Sequence, residues 1–278
     1  MATATINGAE LWYEVSGNGE PLLLHHGYTA CRHNWQPIAD RLQDRYQVIL
    51  MECRGAGESE DTDSGYNLGQ YAEDVLGLVD HLGIDKFTYA GHSMGGGIGY
   101  VLGVNHRHRL SRLILMAPIP SGGIPGEPDM ANVDARLEKR NAGDRAHFKR
   151  EMEATRFRDD VQTDAWFESR VDQLMRVSEA HVRDGMQTMH DLDVEDRLGE
   201  VSIPVLMIAG AVDGLLAPNL ADFQRFPDAT LQVFSHAGHD VAIHEPDGVA
   251  NAIDNFMQMG VVTSEKLMQR AMAKLSGK

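Results

Sequence analysis

Phe87-Thr88-Tyr89-Ala90-Gly91-His92-Ser93-Met94-Gly95 is the stretch that decides the fold. Its first four residues suit a buried strand, and an apolar, glycine-rich run over 94–105 suits a helix. The segment between them predicts a sharp strand-to-helix turn, the setting in which G-x-S-x-G lifts a serine hydroxyl above a sheet. Such a turn leaves no room for side chains two residues before and two residues after Ser93. The helix also points its positive end at any charge that develops there. Gly95, Gly99 and Gly103 recur every four residues on one helix face. Each costs a helix about 1 kcal/mol relative to alanine, and close approach of helix to sheet offsets that cost. A glycine-rich turn whose serine merely caps the helix is the blander reading; the strand before and the helix after favour a nucleophile.

On both sides of this segment, short β-branched or leucine-rich runs alternate with helical periodicity. Strands are expected at 11–15, 22–24, 48–53, 87–90, 113–116, 205–209 and 231–234. Helices are expected at 35–42, 68–82, 94–105, 219–226 and 249–259. Alternation of this kind predicts an α/β fold, a mostly parallel central sheet flanked by helices on both faces.

One stretch breaks the alternation. Residues 127–200 hold 31 charged side chains in 74 positions, only three glycines and no convincing strand. Phe148, Phe157, Trp166, Phe167 and several methionines are scattered among the charges, so the stretch reads as amphipathic helices inserted into the α/β chain. Prolines and glycines between Pro118 and Pro128 mark its start, and Ser202-Ile203-Pro204 marks the return to the sheet. The expected organisation is a core of residues 1–120 and 201–278 with a helical cap at 121–200. Residues 262–278 extend past the last expected helix and read either as a loosely held helix or as an oligomer contact.

Composition narrows the partners. The 278 residues carry 25 basic and 41 acidic side chains, a net charge of −16. Nucleic-acid and anionic-membrane surfaces need a basic footprint, so neither is an expected partner. The long-range field also disfavours polyanionic substrates unless a local basic pocket overrides it. No signal peptide is visible in residues 1–10, and no apolar run is long enough to span a bilayer. Cys31 and Cys53 are the only cysteines. They are expected as reduced thiols in a cytoplasmic protein, and no spacing of Cys or His suggests a metal centre. Within the charge total, residues 127–200 contribute 12 − 19 = −7 over 74 positions and the remaining 204 contribute 13 − 22 = −9. The acid excess is thus densest over the expected cap.

A serine hydroxyl is a weak nucleophile, so a base and an orienting acid must accompany Ser93. His236, His239 and His244 cluster after the strand at 231–234, where a loop at the carboxyl edge of the sheet can reach Ser93. Asp213 follows the strand at 205–209 in the same way, with Asp240 and Asp193 as competing acids.

These features together resemble the α/β-hydrolase fold serine hydrolases, esterase-like and with a helical cap, over roughly residues 11–259. The resemblance rests on His26-Gly27-Tyr28, Arg54-Gly55-Ala56-Gly57-Glu58-Ser59, the Gly91–Gly95 elbow, the Asp213 segment and Ala237-Gly238-His239. It implies a catalytic triad of Ser93, Asp213 and His239, with His236 and His244 as structural or rim neighbours. It implies an oxyanion hole made by the main-chain N–H groups of Tyr28 and Met94. Dehalogenases and epoxide hydrolases of this fold carry aspartate at the elbow, so Ser93 argues against both chemistries. Glu52 stands where the family more often has aspartate, in a segment expected to be structural.

The resemblance implies no cofactor and a small or medium ester-like substrate cleaved by acyl transfer to water. A carbon–carbon bond hydrolase, a lactonase or a perhydrolase would use the same three residues. A reading from another class is a ligand-binding receptor that keeps the hydrolase fold.

Overall fold

A computed structural model describes residues 2–276. Eight strands form one sheet: β1 (Ala2–Ile6), β2 (Ala9–Ser16), β3 (Glu20–His25), β4 (Tyr46–Met51), β5 (Phe87–His92), β6 (Leu110–Met116), β7 (Val205–Gly210) and β8 (Ala229–Phe234). Their spatial order is β1-β2-β4-β3-β5-β6-β7-β8. β2 runs antiparallel to both β1 and β4, and every later pairing is parallel. The chain is therefore an α/β protein with a mostly parallel sheet, as its sequence predicts.

Helices cover both faces. α1 (Gln36–Leu42), α2 (Leu68–His81) and α3 (Met94–Asn105) follow β3, β4 and β5. α4 (Met130–Asn141), α5 (Arg145–Glu153), α6 (Asp164–Arg176) and α7 (Glu179–His190) all lie between β6 and β7. α8 (Leu216–Phe223) follows β7, and α9 (Val241–His244), α10 (Pro246–Met259) and α11 (Ser264–Leu275) follow β8.

The pleat sends successive side chains to opposite faces. In β3, Leu23 joins the core beneath α2 and α3, while Leu22 and Leu24 join the core beneath α1 and α10. The first core also holds Ile49, Tyr89, Val75 and Ile98; the second holds Val48, Leu50, Ile114, Ile38 and Ile253. The inserted helices carry two smaller clusters of their own, one around Val133, Leu137, Val177 and Val182, the other around Phe148, Val171 and Leu174.

Three local expectations need correction. The first strand is missing from the sequence reading: β1 is short, polar at alternate positions, and buries only Ala4 and Ile6. Its hairpin to β2 turns on Asn7 and Gly8, both at positive φ (47° and 78°), and Asn-Gly is the pair that two-residue hairpin loops favour. The helix expected at 219–226 starts instead at Leu216, with Pro218 in its first turn, where a missing N–H breaks no intrahelical bond. The strand expected at 48–53 ends at Met51, and Glu52 turns inward to organise the following loop.

Candidate active site

The strand order reverses between β3 and β5: from β3 the chain steps outward to β4, then crosses back to β5 and proceeds the other way. Crevices beyond the carboxyl ends of strands at such a reversal are where α/β proteins hold ligands. Tyr28 follows β3 and Ser93 follows β5, so both stand at this point. Asp213 and His239 follow β7 and β8 on the same edge.

Ser93 adopts φ 54° and ψ −114°, a conformation that side-chain-bearing residues rarely hold. The elbow is pinned on both sides. Ser93 N donates to the Met116 carbonyl at 3.0 Å, and the Ser93 carbonyl accepts from Gly97 N and Ile119 N at 3.1 and 3.2 Å. Glycine is needed at both flanks: a Cβ on Gly91 would lie 2.1 Å from the Gly95 carbonyl oxygen, and one on Gly95 would lie 2.6 Å from that of His26. Gly27 presses against the serine, since a Cβ there would come 3.0 Å from the Ser93 Cβ.

His239 Nδ1 donates to Asp213 Oδ2 at 2.9 Å, leaving its Nε2 free to accept a proton. The other oxygen of Asp213 accepts from Leu215 N at 3.0 Å. The Asp213 side chain is only 6% exposed and that of His239 is 40% exposed, so the acid is sheltered while the imidazole reaches the cleft. Burial disfavours the charge on each, but their mutual hydrogen bond and attraction outweigh it. The pKa of His239 is raised above 6.5 and that of Asp213 is lowered below 3.8.

The competing residues have other places. His244 Nδ1 accepts from Gly238 N at 3.2 Å beneath the His239 loop, and His236 is exposed. Asp240 lies 3.5 Å from Asn34 Nδ2 and precedes α9, and Asp193 is exposed. Among the described residues, neither Tyr28 N nor Met94 N has a protein acceptor, so two main-chain donors flank Ser93 uncommitted.

The support beneath the site was not legible from spacing. Tyr89 Oη donates to the Gly95 carbonyl at 2.8 Å and accepts from His25 Nδ1 at 2.9 Å, so His25 Nε2 accepts from Cys53 Sγ at 3.1 Å. His26 Nε2 accepts from Cys53 N at 3.0 Å, and its Nδ1 bonds the Gly27 carbonyl at 2.8 Å. Ligand atoms of His25, His26 and Cys53 thus come within 4.8 Å of one another, a grouping that sequence spacing did not suggest. Each ring nitrogen in it already has an internal hydrogen-bond partner. Both cysteines are free and buried, and burial pushes the Cys31 thiol up to about 11. Glu52 is fully buried and accepts from Arg32 Nη1 at 2.7 Å and Glu58 N at 2.7 Å, which fixes the loop after β4.

The inserted helices meet the core at this edge. Tyr28 Oη donates to the Val182 carbonyl of α7 at 2.5 Å, and its ring stacks on that of His181 with centroids 5.8 Å apart. Arg158 Nη1 bonds Glu245 Oε1 at 2.9 Å and the His236 carbonyl at 3.1 Å. A cavity of about 550 Å³ lies between these helices and the loop at Tyr28 and Thr29. Among the described residues, no helix is long and apolar enough to cross a membrane.

Residues 20–246 match the family described as alpha/beta hydrolase fold. A soluble epoxide hydrolase from a Corynebacterium species is 35% identical over 117 residues, 42% of this chain and 41% of that protein, so the match spans less than half of that relative. The 3-oxoadipate enol-lactonase 2 of Acinetobacter baylyi is 28% identical over 239 residues, 81% of this chain and 83% of the relative. A thermophilic esterase from Thermogutta terrifontis has 25% identity and a TM-score of 0.82, with 92% of this chain and 97% of that one covered.

Proposed function

Given that the chain belongs to the α/β-hydrolase fold family, we propose that it is a serine hydrolase cleaving a small or medium carboxylic ester through an acyl-enzyme. The observation that carries this reading is the hydrogen-bonded Asp213–His239 pair, delivered by two different strands to the edge where Ser93 stands on a strained elbow. His239 Nε2 takes the proton of Ser93 Oγ as that oxygen attacks the substrate carbonyl. Asp213 holds the imidazole in the required tautomer and stabilises the imidazolium. The uncommitted N–H groups of Tyr28 and Met94 receive the oxyanion, aided by the N-terminal end of α3. His239 then returns the proton to the leaving alcohol and activates water against the acyl-enzyme.

Serine at the elbow separates this chain from direct attack by a carboxylate, so the epoxide hydrolase likeness is read as one of fold. A lactone is a cyclic ester, and the likeness to an enol-lactonase keeps lactones within the same chemistry. We read residues 121–200 as a cap whose helices roof the acyl pocket, and the free buried thiols suit a cytoplasmic location. The test is Ser93→Ala assayed on p-nitrophenyl acetate and butyrate. Turnover is expected to vanish with the melting temperature retained. Hydrolysis by the variant at a rate comparable with the parent removes Ser93 as nucleophile.

A further inference from the structure

The cavity beneath the inserted helices is walled largely by apolar side chains, among them Val133, Leu137, Phe148, Leu174 and Met186. Arg140 on α4 is the most buried of the charged groups that also line it. Its side chain is only 10% exposed, yet its guanidinium has no carboxylate at hydrogen-bond distance. One Nη donates to the Val177 carbonyl. The other lies 3.5 Å from Asn141 Oδ1 and 3.9 Å from Glu179 Oε1, and that glutamate oxygen is already held by Asn141 Nδ2 at 2.5 Å. A guanidinium offers five donors, and a largely buried charge whose nearest carboxylate stands off at 3.9 Å is only partly compensated.

The other charged groups on the cavity are already committed or lie outside. Arg136 pairs with Glu151 at 2.5 Å and lies over the Phe148 ring. Glu127 and Asp129 are exposed at the rim, and Asp129 caps α4 through Asn132 N at 3.0 Å. His190 Nδ1 bonds the Gly126 carbonyl at 2.8 Å. Tyr28 lines the same cavity, but its hydroxyl is spent on Val182. Arg140 thus carries a buried, loosely paired positive charge in a largely apolar chamber that Tyr28 also lines, the residue after Gly27, which packs on Ser93.

We propose that Arg140 receives a carboxylate carried by the substrate, so that the preferred substrates are esters or lactones bearing a second, free acid group. The net charge of −16 does not oppose this, because exposed charges are screened within about 8 Å at physiological salt whereas the field of Arg140 acts inside the chamber. Burial lowers the pKa of Arg140, and an anion beside it would relieve that cost. The inference rests on ester hydrolysis at Ser93, and its test separates the two.

Protein-detected NMR titrations on Ser93→Ala compare monomethyl glutarate with dimethyl glutarate. The monoacid is expected to bind at least about tenfold more tightly, the effect of one charge-assisted hydrogen bond, and to shift the Arg140 Nε signal. Adding Arg140→Gln should abolish the preference, and Arg140→Lys, which keeps the charge, should restore part of it. Melting curves confirm that each variant is folded. Equal affinities for the two esters, or a preference that survives Arg140→Gln, overturns the proposal. Binding is read on a protein without the serine hydroxyl, so a failed nucleophile assignment appears separately, as p-nitrophenyl ester turnover by Ser93→Ala.

Discussion

The His92 ring lies 4.8 Å from the His239 ring, centroid to centroid, and its Nε2–H donates to the His239 carbonyl oxygen at 2.9 Å. The elbow thereby holds the loop of the proposed base as well as the proposed nucleophile. Burial, and then the nearby charge of His239, lower the His92 pKa to about 4, so His92 remains a neutral donor whether or not His239 is protonated. His92→Phe keeps a ring and removes the bond. We expect kcat on p-nitrophenyl butyrate to fall about tenfold, the worth of one buried hydrogen bond, with KM little changed. Full activity in His92→Phe would show that His239 is positioned without it.

The pH profile follows from the Asp213–His239 pair. As the proposed base, His239 can accept a proton only when neutral, and Asp213 raises its pKa above 6.5. Activity should therefore fall about tenfold per pH unit on the acid side, with a midpoint above 6.5. In Asp213→Asn the midpoint should move down and turnover should drop by about four orders of magnitude. An acid limb of kcat/KM centred below 6.5 in the parent enzyme contradicts this pairing.

Helix α3 approaches the sheet too closely for side chains at Gly95. A Cβ there would sit 2.6 Å from the His26 carbonyl oxygen and 2.7 Å from that of His25, and backbone cannot swing aside as a side chain can. Gly95→Ala should cost about 1–3 kcal/mol in urea denaturation and should disturb activity as well. Gly199, where a Cβ would meet nothing within 4 Å, is the control; Gly199→Ala should stay within about 0.5 kcal/mol of the parent. Equal stabilities for the two variants would refute the close approach.

Acid should weaken the fold through buried neutral histidines. His181 accepts or donates at Nδ1 with Tyr71 Oη at 2.8 Å, while its Nε2 is buried without a partner. Burial, with His26 adding to it, lowers its pKa to about 3. Its unfolded form gains a proton near 6.5 and its folded form does not, so stability falls as pH drops from 6.5 toward about 3. Each such group contributes up to about 1.4 kcal/mol per pH unit in that window, and His25, His26 and His92 act in the same direction. Urea denaturation at pH 7, 6 and 5 should show a decline that is shallower in His181→Asn. Parallel lines for parent and variant would remove His181 from the account.

What could be read in the chain was what has a short-range cause. The elbow glycines, the leucine runs of the parallel strands and the helical periodicity of α2 each follow from local sterics or burial, and each appears where expected. β1 escaped because only two of its side chains reach the core, although Asn7-Gly8 announced the hairpin. Asp213 and His239 could be placed after their strands, but that they bond each other at 2.9 Å depends on how β7 and β8 pair. The roles of His25, Cys53, Tyr89 and Arg140 depend on neighbours far away in the chain, and no periodicity marks them.

The insertion leaves the sheet after β6 and comes back at β7, two strands that are hydrogen-bonded neighbours from Leu113 with Val205 to Met116 with Ile208. The parallel ladder continues across the point where about eighty residues are spliced in, so the sheet is unbroken there. Helices α4 to α7 and the segments between them touch the site through side-chain contacts such as Tyr28 with Val182 and Arg158 with the His236 carbonyl, not through the strands that carry Ser93, Asp213 and His239. On the proposed roles, the residues that would choose the substrate and those that would break the bond lie on different stretches of chain, joined along it only at the ends of β6 and β7.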